Sequence, residues 1–153
     1  MKILCSNPLE QFKSKQKIIK SSINKVLNSS NYILGQYVQK FEKNFCNFIG
    51  TRYGVGVANG TDAVEIALKA LNIGTGDEVI TVSHTALATV AAIISTGAKP
   101  VLVDIEESRF TIDIGMIEKN ITKRTKALVL VHIYGQSTDI DKIIKICKKN
   151  KIK

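Results

Sequence analysis

The chain has 153 residues, of which 44% are hydrophobic, two are proline and ten are glycine. This length and composition predict one soluble globular domain with a sizeable core, and they exclude disordered and collagen-like chains. The formal net charge is +9, but no RNP motif, helix-turn-helix pattern or aromatic interleaving accompanies it, so we expect no nucleic-acid partner.

Membrane and secretory signals are lacking in the sequence. No apolar run approaches the roughly 18 residues that cross a bilayer, and the N-terminal apolar stretch is too short for a signal peptide. The three cysteines, Cys5, Cys46 and Cys147, are scattered, with no CxxC pairing and no neighbouring histidine. This usage indicates reduced thiols and no metal site. We therefore expect a cytoplasmic protein that does not associate with membranes.

The predicted elements begin with two amphipathic helices and continue with alternating strands and helices. Nearly all-apolar strands that alternate with helices indicate an α/β fold with a mostly parallel sheet and helices on both faces. Residues 151–153 look like the beginning of a further strand. The helices are expected at 9–28, 36–49 (ending at Gly50), 62–72, 85–96, 113–120 and 139–150, and the strands at 53–58, 78–82, 99–105 and 126–133.

The stretch "ANGTDAVE" at 58–65 lies between a predicted strand and a predicted helix. One interpretation is structural, because Asp62 followed by Glu65 is a capping-box-like pattern. The other is functional, because Gly60 and Thr61 at a helix N-terminus are suited to bind an anion. The octet alone leaves both open.

Two familiar phosphate-binding motifs are disfavoured. The chain has no GxxxxGK[ST] sequence, which excludes a P-loop. Gly54, Gly56 and Gly60 give G-x-G-x-x-x-G, which is one residue longer than the dinucleotide-binding fingerprint. The first two of these glycines also fall inside the predicted strand rather than in the turn after it.

Six motifs occur together in a fixed order: "GTDA", "GDEVI", "SHTALAT", "GAKPVLVDI", "ITKRTKA" and "HIYGQ". From about Tyr32 to Lys153 the chain resembles the DegT/DnrJ/EryC1/StrS family. Its members are pyridoxal-phosphate (PLP) nucleotide-sugar aminotransferases of the aspartate-aminotransferase fold (fold type I). The resemblance implies an N-terminal helical segment at 1–50, followed at 51–153 by an incomplete PLP-binding large domain.

The resemblance also implies cofactor-binding residues. Gly60 and Thr61 match the positions that bind the PLP phosphate, and Asp62 is assigned to capping because its carboxylate would repel that phosphate. Ala86 stands where the family commonly has an aromatic residue that stacks on the cofactor ring. His84 or another residue then stacks on it, or a small residue is tolerated, although His84 is favoured as a polar residue at the helix entry.

Three polar residues lie near the ends of two further predicted strands. Gln136, in the "HIYGQ" loop, is expected to contribute to the cofactor site. His132 in the same loop and Asp104 at the end of "PVLVD" are favoured as structural residues, with Asp104 capping the following turn.

The family's catalytic lysine and the carboxylate that pairs with the pyridine nitrogen match no position among the 153 residues. We therefore assign no catalytic residue and expect this chain alone to be inactive. Three interpretations stay open: part of an aminotransferase, a half-domain that needs a partner chain, or a small nucleotide- or nucleic-acid-binding domain. In the first, a homodimeric parent transfers an amino group from glutamate to a keto nucleotide sugar for surface-polysaccharide synthesis.

Overall fold

The structure is a computed structural model that describes residues 4–153. The chain divides into two compact units, one ending at Gly56 and the other comprising Val57–Lys153. No helix in the described range is both long and apolar enough to cross a membrane.

The first unit contains two helices, α1 (Pro8–Leu27) and α2 (Gln36–Ile49). Asn7 begins α1, and its side chain accepts the N–H of Glu10 at 3.3 Å, with proline at the first helical position. Gly50 ends α2 in the left-handed conformation at φ 79°, which glycine adopts without a steric penalty. Both helices confirm the sequence prediction.

The strand predicted at 53–58 is wrong. In the described part of the chain, residues 51–58 form no strand, and the side chains of Tyr53 and Val55 are 75% and 81% exposed. A strand exists only where a neighbouring strand accepts and donates its backbone hydrogen bonds. Here the N–H of Gly56 donates instead to a carboxylate oxygen of Glu42 at 2.7 Å.

The second unit is built on a three-stranded parallel sheet with the order β2-β1-β3. The central strand β1 is completely buried, which explains its unbroken apolar character. The sheet therefore confirms the predicted α/β class. Its elements are α3 (Gly60–Ala70), β1 (Glu78–Val82), α4 (Leu87–Ser95), β2 (Lys99–Val103), α5 (Ile114–Lys119), β3 (Thr125–Val129), a short 3-10 helix (Ile133–Gly135) and α6 (Ile140–Asn150).

The core consists of two clusters, one on each face of the sheet. Val79 of β1 belongs to the cluster that contains Leu68 of α3 and Ile93 of α4. Ile80, the next residue of β1, belongs to the opposite cluster with Ile117 of α5 and further residues of α6. Because adjacent strand residues face opposite sides, α3 and α4 cover one face, and α5 and α6 cover the other.

The last residues of the chain lie alongside β3. The N–H of Lys153 donates to the carbonyl of Lys126 at 3.0 Å, and the N–H of Leu128 donates to the carbonyl of Lys153 at 2.9 Å. These two bonds flank Ala127 and form the pattern of a parallel bridge. Lys153 thus pairs with β3 as a residue of a neighbouring strand does, whereas the N–H groups of Lys151 and Ile152 still donate to carbonyls of α6.

Candidate functional site

The N-terminus of α3 is capped by Asn59. The side-chain oxygen of Asn59 accepts the N–H of Asp62 at 2.9 Å, and its carbonyl accepts the N–H of Ala63 at 3.1 Å. The helix begins at Gly60, two residues earlier than predicted, so Asp62 is its third residue and not its cap. Glu65, the predicted partner of Asp62, instead forms an ion pair with Lys69 at 2.6 Å.

Two backbone amides at this helix end are free. Within the described chain, the N–H groups of Gly60 and Thr61 donate to no acceptor, as is usual in the first turn of a helix. They add to the positive end of the helix dipole, and together these features favour an anion. The free amides therefore fit the phosphate site that the sequence predicted at these two residues.

The glycine at position 60 is not required by the protein's own packing. A Cβ atom added to Gly60 would meet no atom within 4 Å, and its backbone is not left-handed. A Cβ atom added to Gly54, by contrast, would lie only 2.7 Å from Cys46 Sγ. The space beside the free amides is therefore open, as a bound phosphate would need.

The free amides of α3 lie toward the carboxyl edge of the sheet, where parallel α/β proteins bind ligands. The short connection at 71–77 brings the end of α3 to the beginning of β1. An 11-residue helix is about 16 Å long, and a five-residue strand is also about 16 Å long. Ala63 and Val64, near the start of α3, line one cavity with Val129 at the end of β3, so the first turn of α3 lies near the carboxyl edge of the sheet.

The loop after β1 carries the second predicted cofactor residue. Ala86 is exposed and precedes α4 as its N-cap, without a side-chain hydrogen bond. It presents only a methyl group at this edge of the sheet. Nearby, the hydroxyls of Thr85 and Thr89 hydrogen-bond to each other at 2.8 Å.

His84 does not serve as a helix-entry residue, contrary to expectation. Its Nδ1 atom is buried and has no hydrogen-bond partner in the described part of the chain. The reason is that α4 begins only at Leu87, with Ala86 as its N-cap. The imidazole instead contacts the ring of Tyr134 edge to face, with 6.1 Å between ring centroids and 69° between planes.

The loop after β3 carries Gln136, the third predicted position of the cofactor site. Gln136 ends the 3-10 helix, and its side chain is exposed, as is that of His132. Asp104, after β2, accepts the N–H of Ile105 at 2.8 Å, and its expected role as the cap of the following turn stays a prediction. Since β1 and β3 are parallel neighbours, the loops carrying Ala86 and Gln136 leave the same edge of the sheet.

Tyr134 is the residue of this edge that sequence reasoning missed. It has a φ of 55°, which is left-handed and unusual for a residue with a side chain. Only the adjacent Gly135 hinted at an irregular backbone. Among residues 4–153, no group of His, Cys, Asp and Glu side chains has an arrangement that would hold a metal ion.

Comparisons with known proteins agree on one family. The model of the DegT/DnrJ/EryC1/StrS aminotransferase family matches residues 13–153. A curated relative, dTDP-3-amino-3,6-dideoxy-alpha-D-galactopyranose transaminase of Aneurinibacillus thermoaerophilus, is 47% identical over 138 residues. That alignment covers 90% of this chain and 38% of the relative.

Solved structures give the same result. DesV of S. venezuelae superposes with a TM-score of 0.91 at 38% identity, covering 94% of this chain and 38% of that one. NtdA from Bacillus subtilis, solved with the bound cofactor PMP (pyridoxamine phosphate), gives a TM-score of 0.88 at 35% identity, with 92% and 32% covered. The chain thus spans between 32% and 38% of the length of these three proteins.

Proposed function

The chain belongs to the DegT/DnrJ/EryC1/StrS aminotransferase family, and from this premise we propose that its second unit binds the phosphate of PLP. The cofactor, when bound, supplies an electron sink for chemistry at the carbon that carries the amino group. The residues of this chain hold and orient it.

The observation that carries this proposal is the pair of free amides at Gly60 and Thr61. They lie beside open space at a position where the protein's packing does not demand glycine. A helix N-terminus contributes only about 0.3–1 kcal/mol to the binding of an exposed anion. We therefore propose that the 153-residue chain binds the cofactor weakly.

Two further positions are proposed to contact the cofactor. Ala86 leaves room beside the end of β1 for the pyridine ring, because its side chain is a single methyl group. Gln136 offers an exposed amide in the neighbouring loop, where it donates or accepts a hydrogen bond. Both follow strands that pair in the sheet, which supports their placement in one site.

For the whole protein, we propose transfer of an amino group from glutamate to a keto group on a nucleotide-linked sugar. The name of the Aneurinibacillus relative, a transaminase of a dTDP-linked amino sugar, supports the substrate class. We further propose that the protein acts as a homodimer in the cytoplasm and that its product enters surface-glycan synthesis. The donor, the assembly and the pathway derive from the family resemblance.

A chimera tests this activity. The 153-residue chain replaces the matching portion of the Aneurinibacillus transaminase, and the unaltered transaminase serves as control. Incubation with glutamate and a panel of keto nucleotide sugars should yield 2-oxoglutarate and an amino sugar. A folded, dimeric chimera that forms no 2-oxoglutarate with any sugar contradicts the proposal.

A further inference from the structure

His84 and Tyr134 contact each other edge to face in the second unit, and neither is among the residues proposed above to hold the cofactor. We propose that His84 is a ligand-contacting residue, whose Nδ1 hydrogen-bonds a phosphate-bearing pyridine cofactor, and that Tyr134 positions its imidazole. This inference rests on the proposed PLP site and adds a residue to it.

His84 has a buried ring nitrogen without a hydrogen-bond partner in the described part of the chain. Nδ1 of His84 is the one buried side-chain nitrogen or oxygen that lacks a partner among the described residues. Leaving a buried polar atom unpaired is unfavourable, so native proteins rarely retain one without a functional reason. A ligand with a polar atom at this place would satisfy it.

Tyr134 has an unfavourable backbone conformation. Its φ of 55° is disfavoured for any residue that carries a Cβ atom, while the residue is 89% exposed and gains little from burial. Strained backbone concentrates at ligand-binding and catalytic positions. The unfavourable backbone and the unpaired nitrogen thus belong to two residues whose rings lie edge to face, with 6.1 Å between centroids.

Both residues lie in loops that follow paired strands of the sheet. His84 follows β1 and Tyr134 follows β3, and these strands are parallel neighbours. Their contact therefore lies at the carboxyl edge of the sheet, as do the first turn of α3 and the exposed methyl group of Ala86. Ligands of open α/β sheets bind at this edge.

The chemistry suits a neutral imidazole. Either ring nitrogen donates or accepts a hydrogen bond, depending on the tautomer. The edge-to-face contact with Tyr134 favours one orientation of the ring. His84 is therefore able to bind a polar atom of the cofactor in the orientation that Tyr134 favours.

Matched variants of the 153-residue chain separate this role from a structural one. His84→Phe keeps a ring against Tyr134 and removes the nitrogen, whereas His84→Asn keeps a polar atom near the position of Nδ1. Tyr134→Phe keeps the positioning ring, and Tyr134→Gly removes both the ring and the backbone strain. His132→Phe, in the same region of the sheet, is the control.

The probe is pyridoxamine 5′-phosphate, whose amine forms no Schiff base with lysines, and its phosphorus NMR signal reports binding.

We expect His84→Phe to weaken binding of the probe about fivefold, as the loss of one hydrogen bond implies, without lowering the melting temperature. Tyr134→Gly should also weaken binding while raising the melting temperature. His84→Asn, Tyr134→Phe and His132→Phe should bind within about twofold of the wild type. A purely structural His84 would lower stability when replaced and leave affinity unchanged.

The two proposals fail in different ways. If the wild-type chain binds the probe and His84→Phe binds it equally well, the role of His84 is overturned and the phosphate site stands. If His84→Phe weakens binding but His84→Asn does so equally, the hydrogen bond from Nδ1 is overturned. If the wild-type chain leaves the phosphorus signal unchanged, both the phosphate site and the inference are overturned.

Discussion

The carboxylate of Glu42 accepts the backbone N–H of Gly56, with 2.7 Å between Oε1 and the nitrogen. This bond holds the segment that follows α2 against α2 itself, the helix that carries Glu42. Gly54 allows the approach, since a Cβ atom on it would lie 2.7 Å from Cys46 Sγ, whereas one on Gly56 would lie 3.4 Å from Glu42 Oε1, an ordinary contact distance. The first glycine of the G-x-G pattern therefore reflects close packing against α2.

Replacing Glu42 should weaken the first unit. Glu42→Ala removes the acceptor of a charge-assisted hydrogen bond, and we expect a loss of about 1 kcal/mol in unfolding free energy. Glu42→Gln keeps an acceptor oxygen and should lose less. Urea denaturation measures both, with Gln39→Ala as control because Gln39 is exposed on the same helix. Equal effects of Glu42→Ala and Gln39→Ala would contradict this role of Glu42.

The two glycines at 54 and 60 should respond in opposite ways to alanine. Gly54→Ala forces a methyl group onto Cys46 Sγ and should destabilise the chain by about 1–3 kcal/mol, as overpacking does. Gly60→Ala meets no atom within 4 Å and should leave stability equal or slightly higher. Urea denaturation of both variants tests the contrast. Adding Cys46→Ala to Gly54→Ala should restore most of the lost stability, and no recovery would count against the clash.

Glu78 makes the stability of the second unit depend on pH. Its carboxylate is buried at the start of β1, accepting the hydroxyl of Thr122 at 2.6 Å and Nη2 of Arg124 at 2.7 Å. The Thr122 hydrogen bond, helped by the positive charge of Arg124 and opposed by desolvation, lowers the pKa of Glu78 below its ordinary value of 4.5. The carboxylate therefore stabilises the fold fully above pH 4.5, and this contribution disappears as the pH falls through the lowered pKa.

Glu78→Gln should accordingly remove part of the acid sensitivity. Wild type should be the more stable protein at neutral pH, and the difference should shrink as the pH falls below 4.5. Asp139, whose pKa is also lowered, by hydrogen bonds from Lys142, contributes in the same direction and stays intact in this comparison. Chemical denaturation across the acid range measures the difference. A difference that stays constant with pH would show that the Glu78 carboxylate does not titrate as described.

No lysine of this chain should bind PLP as a catalytic lysine does. The 153-residue polypeptide is purified with PLP and reduced with borohydride, and peptide mass spectrometry locates any modified lysine. We expect scattered, substoichiometric labelling, because no lysine matches the family's catalytic position. Stoichiometric labelling of one lysine would contradict this and identify a catalytic residue within the chain.

Much of the fold was predictable because its signals are local. The end of α2 at Gly50 and the limits of β1 at Glu78–Val82 follow from a left-handed cap and an apolar run bounded by turns. The strand at 53–58 was mispredicted because alternating apolar residues do not show whether a partner strand is present. The backbone N–H of Gly56 instead donates to the carboxylate of Glu42, 14 positions away in the sequence.

The candidate site was predictable only in part. Gly60 and Thr61 stood out because a helix start combines small residues with free amides. The cap at Asn59 was missed because Asp62 and Glu65 offered a similar pattern three residues further on. The contact of His84 with Tyr134 joins loops after two separate strands, and such a pairing depends on the sheet order rather than on spacing in the sequence.

The central claim is that the first turn of α3 binds the phosphate of the cofactor. The most direct test is a phosphorus NMR titration of pyridoxamine 5′-phosphate with the wild-type chain and with Gly60→Ala, whose added methyl group would occupy the open space beside the amides. We predict weak, saturable binding to the wild type and at least about fivefold weaker binding to the variant, with no loss of stability. Equal affinity of the two proteins would contradict the claim.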